Sequence, residues 1–115
     1  MSTTLEAALL GGNIIDAVSM ATSITSTVLD LRRRRWASLQ FHSATNTHVG
    51  TLAVQGSNDG LAWSTIVLVP ALPALANGAA YDELVDLANI GTAYVRAVYT
   101  ATSGTGALTC TARAK

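Results

Sequence analysis

The chain has 115 residues, half of them apolar and only 12% charged, and seven Lys and Arg balance seven Asp and Glu to a formal charge of zero. That length makes one domain, able to bury roughly two-thirds of the surface its unfolded chain exposes, so no staple is needed to fold it. The missing positive excess argues against a nucleic-acid binder, which carries a basic face, and so little charge protects a surface only weakly against association, which suits a protein that lives in an assembly.

Residues Met1 to Gly12 place Leu5, Ala8 and Leu9 at helical spacing behind Ser2, Thr3 and Thr4, and the Gly11 and Gly12 pair ends any helix after two turns. The segment reads as an N-terminal arm or short helix, with a single β-sandwich domain over residues 13–115. It lacks a basic start and carries Glu6, which makes it a poor secretory leader, and no stretch reaches the roughly 18 apolar residues of a membrane helix. A protein made in a cytoplasm, with no membrane partner, is expected.

From Asn13 the pattern turns to β: Ile14, Ile15, Val18 and Met20, then Ile24, Val28, Leu29 and Leu31, with Ser and Thr between them. Those hydroxyls compete for the backbone of a helix, whereas Thr and Val suit a pleated surface, so strands are predicted near Ile14 to Met20 and Ile24 to Leu29. Arg32, Arg33, Arg34 and Arg35 form the one charge run of the chain, directly before a strand Trp36 to Ser43. Alternation sends Ala37, Leu39 and Phe41 to the core and leaves Trp36, Ser38, Gln40 and His42 on the other face. Trp36 beside guanidinium groups is the composition of a binding surface. The competing reading has Trp36 cover the sheet end while the arginines make a solvated turn.

A polar turn at Ala44 to His48 leads to a strand Val49 to Gln55 with Leu52 and Val54 inward. The stretch VQGSNDGLAW then organises the chain: Ser57, Asn58, Asp59 and Gly60 interrupt two apolar runs, and Asn, Asp and Gly tolerate positive φ while short Asx side chains bond the turn's own amides. A hairpin is predicted. Its second arm, WSTIVLV from Trp63 to Val69, is apolar at nearly every position, the pattern of a strand buried on both faces or held in a subunit contact. Pro70 and Pro73 end it, and residues 71–80 read as a loop. Tyr81 to Leu87 reads as either a strand, with Tyr81, Glu83 and Val85 on one side, or a short helix. Ala93 to Thr100 is a strand, Ser103 to Gly106 a turn, and Ala107 to Ala114 a strand with Leu108, Cys110 and Ala112 inward, the last two strands forming a closing hairpin.

About seven or eight short strands without a βαβ rhythm make an all-β, two-layer antiparallel β-sandwich, jelly-roll-like, the natural fold. Chemistry is thinly signalled. Cys110, the single cysteine, sits in an alternating strand and reads as a buried small hydrophobe rather than a nucleophile. His42, His48 and Asp59 do not obviously converge on a metal, and Asp82, Glu83 and Asp86 lack the alternating oxygen ligands of a calcium loop. Ser57 is in no nucleophile elbow, and the glycines of GSNDG precede no helix as a phosphate loop requires. The expectation is a protein that is not an enzyme, with no cofactor and no metal. Two roles remain: a structural assembly protein, and a sandwich presenting Trp36, His48 and Tyr81 to a sugar.

SNDG followed by Trp63, with a later strand carrying Tyr94, Val95 and Arg96, resembles the galactose-binding-like jelly rolls of the discoidin type. More closely, VGTLAVQGSNDGLAW followed by YVRAVYTATSGTGALT resembles small virion structural proteins of tailed bacteriophages, of the capsid decoration or cement type, over about Leu29 to Lys115. What the resemblance implies is a non-enzymatic homo-oligomer, a trimer at local three-fold positions on the outside of a phage head, bridging copies of the major capsid protein. The N-terminal arm would reach into the capsid or a neighbouring copy. A tail or baseplate accessory module of the same fold is the alternative, followed by a carbohydrate-binding sandwich. The arginine run before Trp36 departs from that family's pattern, and the sugar loops of the discoidin relatives do not map onto this chain.

Overall fold

The structure is a computed structural model that describes residues 12–44, 48–68, 71–75, 80–88 and 91–115. The predicted arm lies outside the described residues, apart from Gly12. Every element among the described residues is a strand: β1 (Gly12–Ser19), β2 (Ile24–Thr25), β3 (Leu29–Asp30), β4 (Ala37–Ser43), β5 (Val49–Ser57), β6 (Ser64–Thr65), β7 (Tyr81–Leu87), β8 (Tyr94–Ser103) and β9 (Ala107–Ala114). They form two antiparallel sheets, one ordered β1-β9-β4-β7 and the other β2-β8-β5-β6, with β3 also on β8. This is the two-layer sandwich that the alternation predicts.

The inward residues meet between the layers. Leu39, Phe41, Leu108, Cys110 and Ala112 from the first sheet face Val54, Val95, Ala97 and Tyr99 from the second, all fully buried. Each fully buried side chain of this kind contributes roughly 1.5–3 kcal/mol of transfer free energy, which is what fixes the strand register: a one-residue slip would turn the whole set to solvent. Tyr81 to Leu87 is a strand paired along its length with β4, from Ala37↔Leu87 to Ser43↔Tyr81. Its Tyr81 and Val85 are buried, which settles the open choice between strand and helix.

Three expectations are corrected. The last two strands are not a hairpin, because β8 lies in the second sheet and β9 in the first. Gly104 at φ 89° and Gly106 at φ 138° carry the chain across the layers instead, in backbone that a side chain would resist. The strand foreseen at Ile24 to Leu29 is broken into β2 and β3 on the same edge of β8. Ser26 fills the break: its amide donates to the Ala97 carbonyl (2.9 Å) and its hydroxyl accepts from the Ala97 amide (2.8 Å). For the run from Trp63, the reading as a strand buried on both faces is corrected and the subunit-contact reading stays open, since over residues 63–68 the ladder stops after Thr65 and Val67 is 86% exposed while Ile66 and Leu68 lean on the core.

The described part of the loop 71–80 is anchored rather than loose. Leu75 is buried and exchanges backbone hydrogen bonds with Gly50, while the Tyr81 hydroxyl donates to the Pro73 carbonyl at 2.8 Å.

Candidate functional site

The turn after β5 is built by its own side chains. Asp59 Oδ1 accepts from the Leu61 and Ala62 amides at 2.8 and 3.0 Å and from the Ser57 hydroxyl at 2.9 Å, and Ser57 Oγ accepts from the Gly60 amide. The Ala62 and Leu61 amides in particular hold the Asp59 carboxyl below its ordinary range. Gly60 has φ 77°, and Asn58 Oδ1 accepts from the Ala93 amide, tying the turn to the start of β8. Ser57, Asn58, Asp59 and Gly60 are thus the turn formers that the sequence indicates. Ser57 Oγ and Asp59 Oδ1 are committed to that turn, and Asn58 Oδ1 to its tie with the start of β8.

Three of the four arginines line one groove. Buried Asp30 accepts from Arg32 through Nε and Nη2, at 2.5 Å for the latter, and from the Arg32 amide at 3.0 Å. The Arg32 bonds hold the Asp30 carboxyl below its ordinary range. The Arg32 guanidinium also lies over the Tyr94 ring, 5.5 Å from its centroid. Arg32, Arg33 and Arg34 line a groove with Asp30, whereas Arg35 donates its amide to the Lys115 carbonyl and leads the chain away. Asp30, two residues before Arg32, was the signal available for this clasp.

Trp36 lies in a different groove. It precedes β4, exchanges two backbone hydrogen bonds with Lys115 (3.0 and 2.9 Å), and is half exposed. Ala37, Ser38, Asp86, Arg113 and Lys115 complete the lining. The register explains the convergence: on the outer face of the first sheet Ser38 of β4 is paired with Asp86 of β7 on one side and Arg113 of β9 on the other. Arg113 and Asp86 are therefore two strand spacings apart, about 10 Å, with the serine as floor between them.

A third groove carries apolar side chains on both walls. Ile66, Val67, Leu68 and Leu72 on one side and Leu84 and Leu87 on the other line a channel where the edge of the second sheet meets β7. Leu84 is 60% exposed, and Glu83 and Asp86 lie at the rim.

The residues weighed for catalysis or metal binding are held apart. His42 Nδ1 pairs with Asp82 Oδ1 at 2.7 Å on the exposed outer face of the first sheet. His48 is fully buried, its Nδ1 3.5 Å from Ser43 Oγ and its Nε2 without a partner among the described residues. Burial pushes the Cys110 thiol up to about 12. Among the described residues no three His, Cys, Asp or Glu side chains are grouped to hold a metal ion, and no helix is long and apolar enough to cross a membrane. The set Trp36, His48 and Tyr81 is also corrected: the two latter side chains point into the core, His48 beside Ser43 and Tyr81 as the first inward residue of β7, and only Trp36 is presented.

No protein-family model and no curated protein sequence matches the chain. Its fold is matched among solved structures. The crystal structure of the SPBc2 prophage-derived protein YomS superposes with a TM-score of 0.54 at 10% identity, covering 89% of this chain and 89% of that one. The K1 cleaved adhesin domain of Lys-gingipain from Porphyromonas gingivalis W83 gives a TM-score of 0.42 at 21% identity, covering 81% of this chain and 63% of that one. The YomS likeness is one of fold, and the second is too low to carry an argument.

Proposed function

We propose that this protein is a non-enzymatic virion component of a tailed bacteriophage, an oligomeric β-sandwich that decorates the head and binds the major capsid protein. The observation that carries the phage assignment is the fold shared over nearly the whole length of both chains with YomS, a prophage-derived protein. The sequence resemblance to decoration proteins, drawn from the SNDG turn and the Tyr94 strand, points the same way.

Support for a non-enzymatic role comes from what the reactive side chains already do. His42 is paired with Asp82, Ser57 and Asp59 build a turn, and the Cys110 thiol is kept protonated in the core. Support for an assembly role comes from the apolar channel, where Val67 and Leu84 stand exposed above Ile66, Leu68, Leu72 and Leu87. Covering such a surface gains about 25 cal/mol per Å² of apolar area. In a symmetric oligomer each further contact is effectively intramolecular, so weak patches add up across a capsid joint. A trimer at local three-fold positions is the arrangement the resemblance implies.

Electron microscopy of purified virions labelled with a gold-conjugated antibody to this chain tests the assignment. Label distributed over the head supports decoration. Label confined to the tail moves the protein to a tail or baseplate accessory role, and virions without label contradict the proposal.

A further inference from the structure

The groove around Trp36 shares Asp86 with the neighbouring channel and Ala37 with the core, but its aromatic and charged lining is unlike that of either. Cations elsewhere in the structure cover aromatic rings: Arg32 lies over Tyr94 and Arg96 over Trp63. No such cation lies over the Trp36 ring among the described residues, although Arg113 and Lys115 line the same groove. Likewise, among the described residues neither Arg113 nor Lys115 forms an ion pair with Asp86, the acid of that groove. An aromatic face, two donors and an acceptor thus stand around one space without satisfying one another. The cavity volume is about 440 Å³, within the roughly 300–1,000 Å³ of small-molecule sites.

We propose that the groove lined by Trp36, Ser38, Asp86, Arg113 and Lys115 binds a pyranose ring of a glycan, stacked on the Trp36 indole with its hydroxyls bridging Asp86 and Arg113. The donor and acceptor inventory selects this class. A carboxylate can only accept and a guanidinium can only donate, so a ligand touching both must offer each kind of partner, which a hydroxyl does. An anion alone is opposed by Asp86, and an organic cation stacked on the indole is opposed by Arg113 and Lys115. The C–H face of a pyranose is apolar and flat enough to cover an indole ring, while its equatorial hydroxyls point sideways to the strands carrying Asp86 and Arg113. Ser38 beneath supplies a hydroxyl of either polarity.

The fold sets the backbone of the site: paired strands place Ser38, Asp86 and Arg113 side by side, and two backbone hydrogen bonds join Trp36 to Lys115. The proposal stands apart from the virion assignment: a glycan site is equally compatible with a head or a tail location.

Two tryptophans are present, so Trp63→Phe leaves Trp36 as the sole indole reporter. In that background, D-glucose, D-galactose, D-mannose and N-acetyl-D-glucosamine are titrated separately while the emission of Trp36 is followed, and saturation-transfer NMR on the otherwise unchanged protein is run with the same sugars. The expected result is a saturable emission change for at least one of them, with Asp86→Asn and Arg113→Met each weakening it about tenfold, the loss typical of a hydrogen bond to a charged group. Trp36→Ala should abolish the saturation-transfer signal while leaving thermal unfolding unchanged. The proposal is overturned if none of the four sugars gives a saturable response. It is equally overturned if the response survives Trp36→Ala or is indifferent to both Asp86→Asn and Arg113→Met.

Discussion

The Arg96 guanidinium lies over the Trp63 ring, 4.2 Å from its centroid, and its Nε donates to Gln55 Oε1 at 2.8 Å. One cation on β8 thereby holds both arms of the hairpin formed by β5 and β6. The hairpin's own ladder is only two residue pairs long, Gln55↔Thr65 and Gly56↔Ser64, with one further bond from the Ile66 amide to the Val54 carbonyl, so the clamp adds a side-chain tie to a short ladder. A double-mutant cycle between Arg96→Ala and Trp63→Ala should give a coupling of about 1 kcal/mol, measured by urea unfolding. Additive losses would show that the stack is incidental.

Gly50 is the position where a side chain is least tolerable. A Cβ there would lie 2.5 Å from both the Thr100 carbonyl oxygen and the Tyr99 hydroxyl, the latter held by its hydrogen bond to the Val49 carbonyl. The strand already shifts register between Val49 and Gly50, and Gly50 also pairs with Leu75. Gly50→Ala should cost about 1–3 kcal/mol or more by overpacking, seen as a lower denaturation midpoint. By contrast Gly91→Ala, where a Cβ meets nothing within 4 Å, should unfold as the parent does.

The clasp between Asp30 and Arg32 gives a pH dependence. The Asp30 carboxyl is held below the ordinary carboxylate range, chiefly by the Arg32 side-chain hydrogen bonds. A depressed carboxyl stabilises the fold above the unfolded value and loses that contribution as pH falls through the folded one, so the loss should appear below about pH 4. Thermal unfolding followed from pH 6 downward, values on the order of an ordinary acid titration, should fall more steeply for the parent than for Asp30→Asn. Parallel curves would assign the acid limb to other carboxylates.

Cys110 should be chemically silent. Its thiol is fully buried and pushed up to about 12, so the thiolate that reacts with alkylating agents is scarce at neutral pH. Labelling by iodoacetamide in native buffer should proceed only as fast as the protein opens, and should become rapid in denaturant. Fast native labelling would mean that β9 leaves the sandwich readily.

Much of this architecture is legible in the sequence wherever one face of a strand is buried, because the period of two is then written directly in the residues. Ala37, Leu39 and Phe41 of β4, and Leu108, Cys110 and Ala112 of β9, are inward as their alternation requires. Connectivity between layers is less legible. SGTG marks a turn, yet nothing in those residues says whether the chain returns in the same sheet or crosses to the other, which is what Gly104 and Gly106 do. The WSTIVLV run is ambiguous for a different reason: its composition fits burial or a subunit contact alike, and only the ladder ending at Thr65 shows that Val67 is left outside.

The candidate groove was only partly visible. Alternation puts Trp36 and Ser38 on one face, whereas Asp86 of β7, Arg113 of β9 and Lys115 just beyond it meet them only through the order β9-β4-β7. Spacing along the chain cannot group them. Within the arginine run, adjacency does not show that Arg32 is committed to Asp30 while the Arg35 amide bonds the Lys115 carbonyl.

The central claim, that this sandwich is an assembly module of a phage head, is tested most directly by co-sedimentation with heads stripped of their decoration. The purified protein should be an oligomer in solution and should pellet with stripped heads. The double variant Val67→Asp/Leu84→Asp, which places charge in the exposed apolar channel without touching the core, should unfold like the parent yet stay in the supernatant. A parent protein that remains in the supernatant with stripped heads would contradict the account.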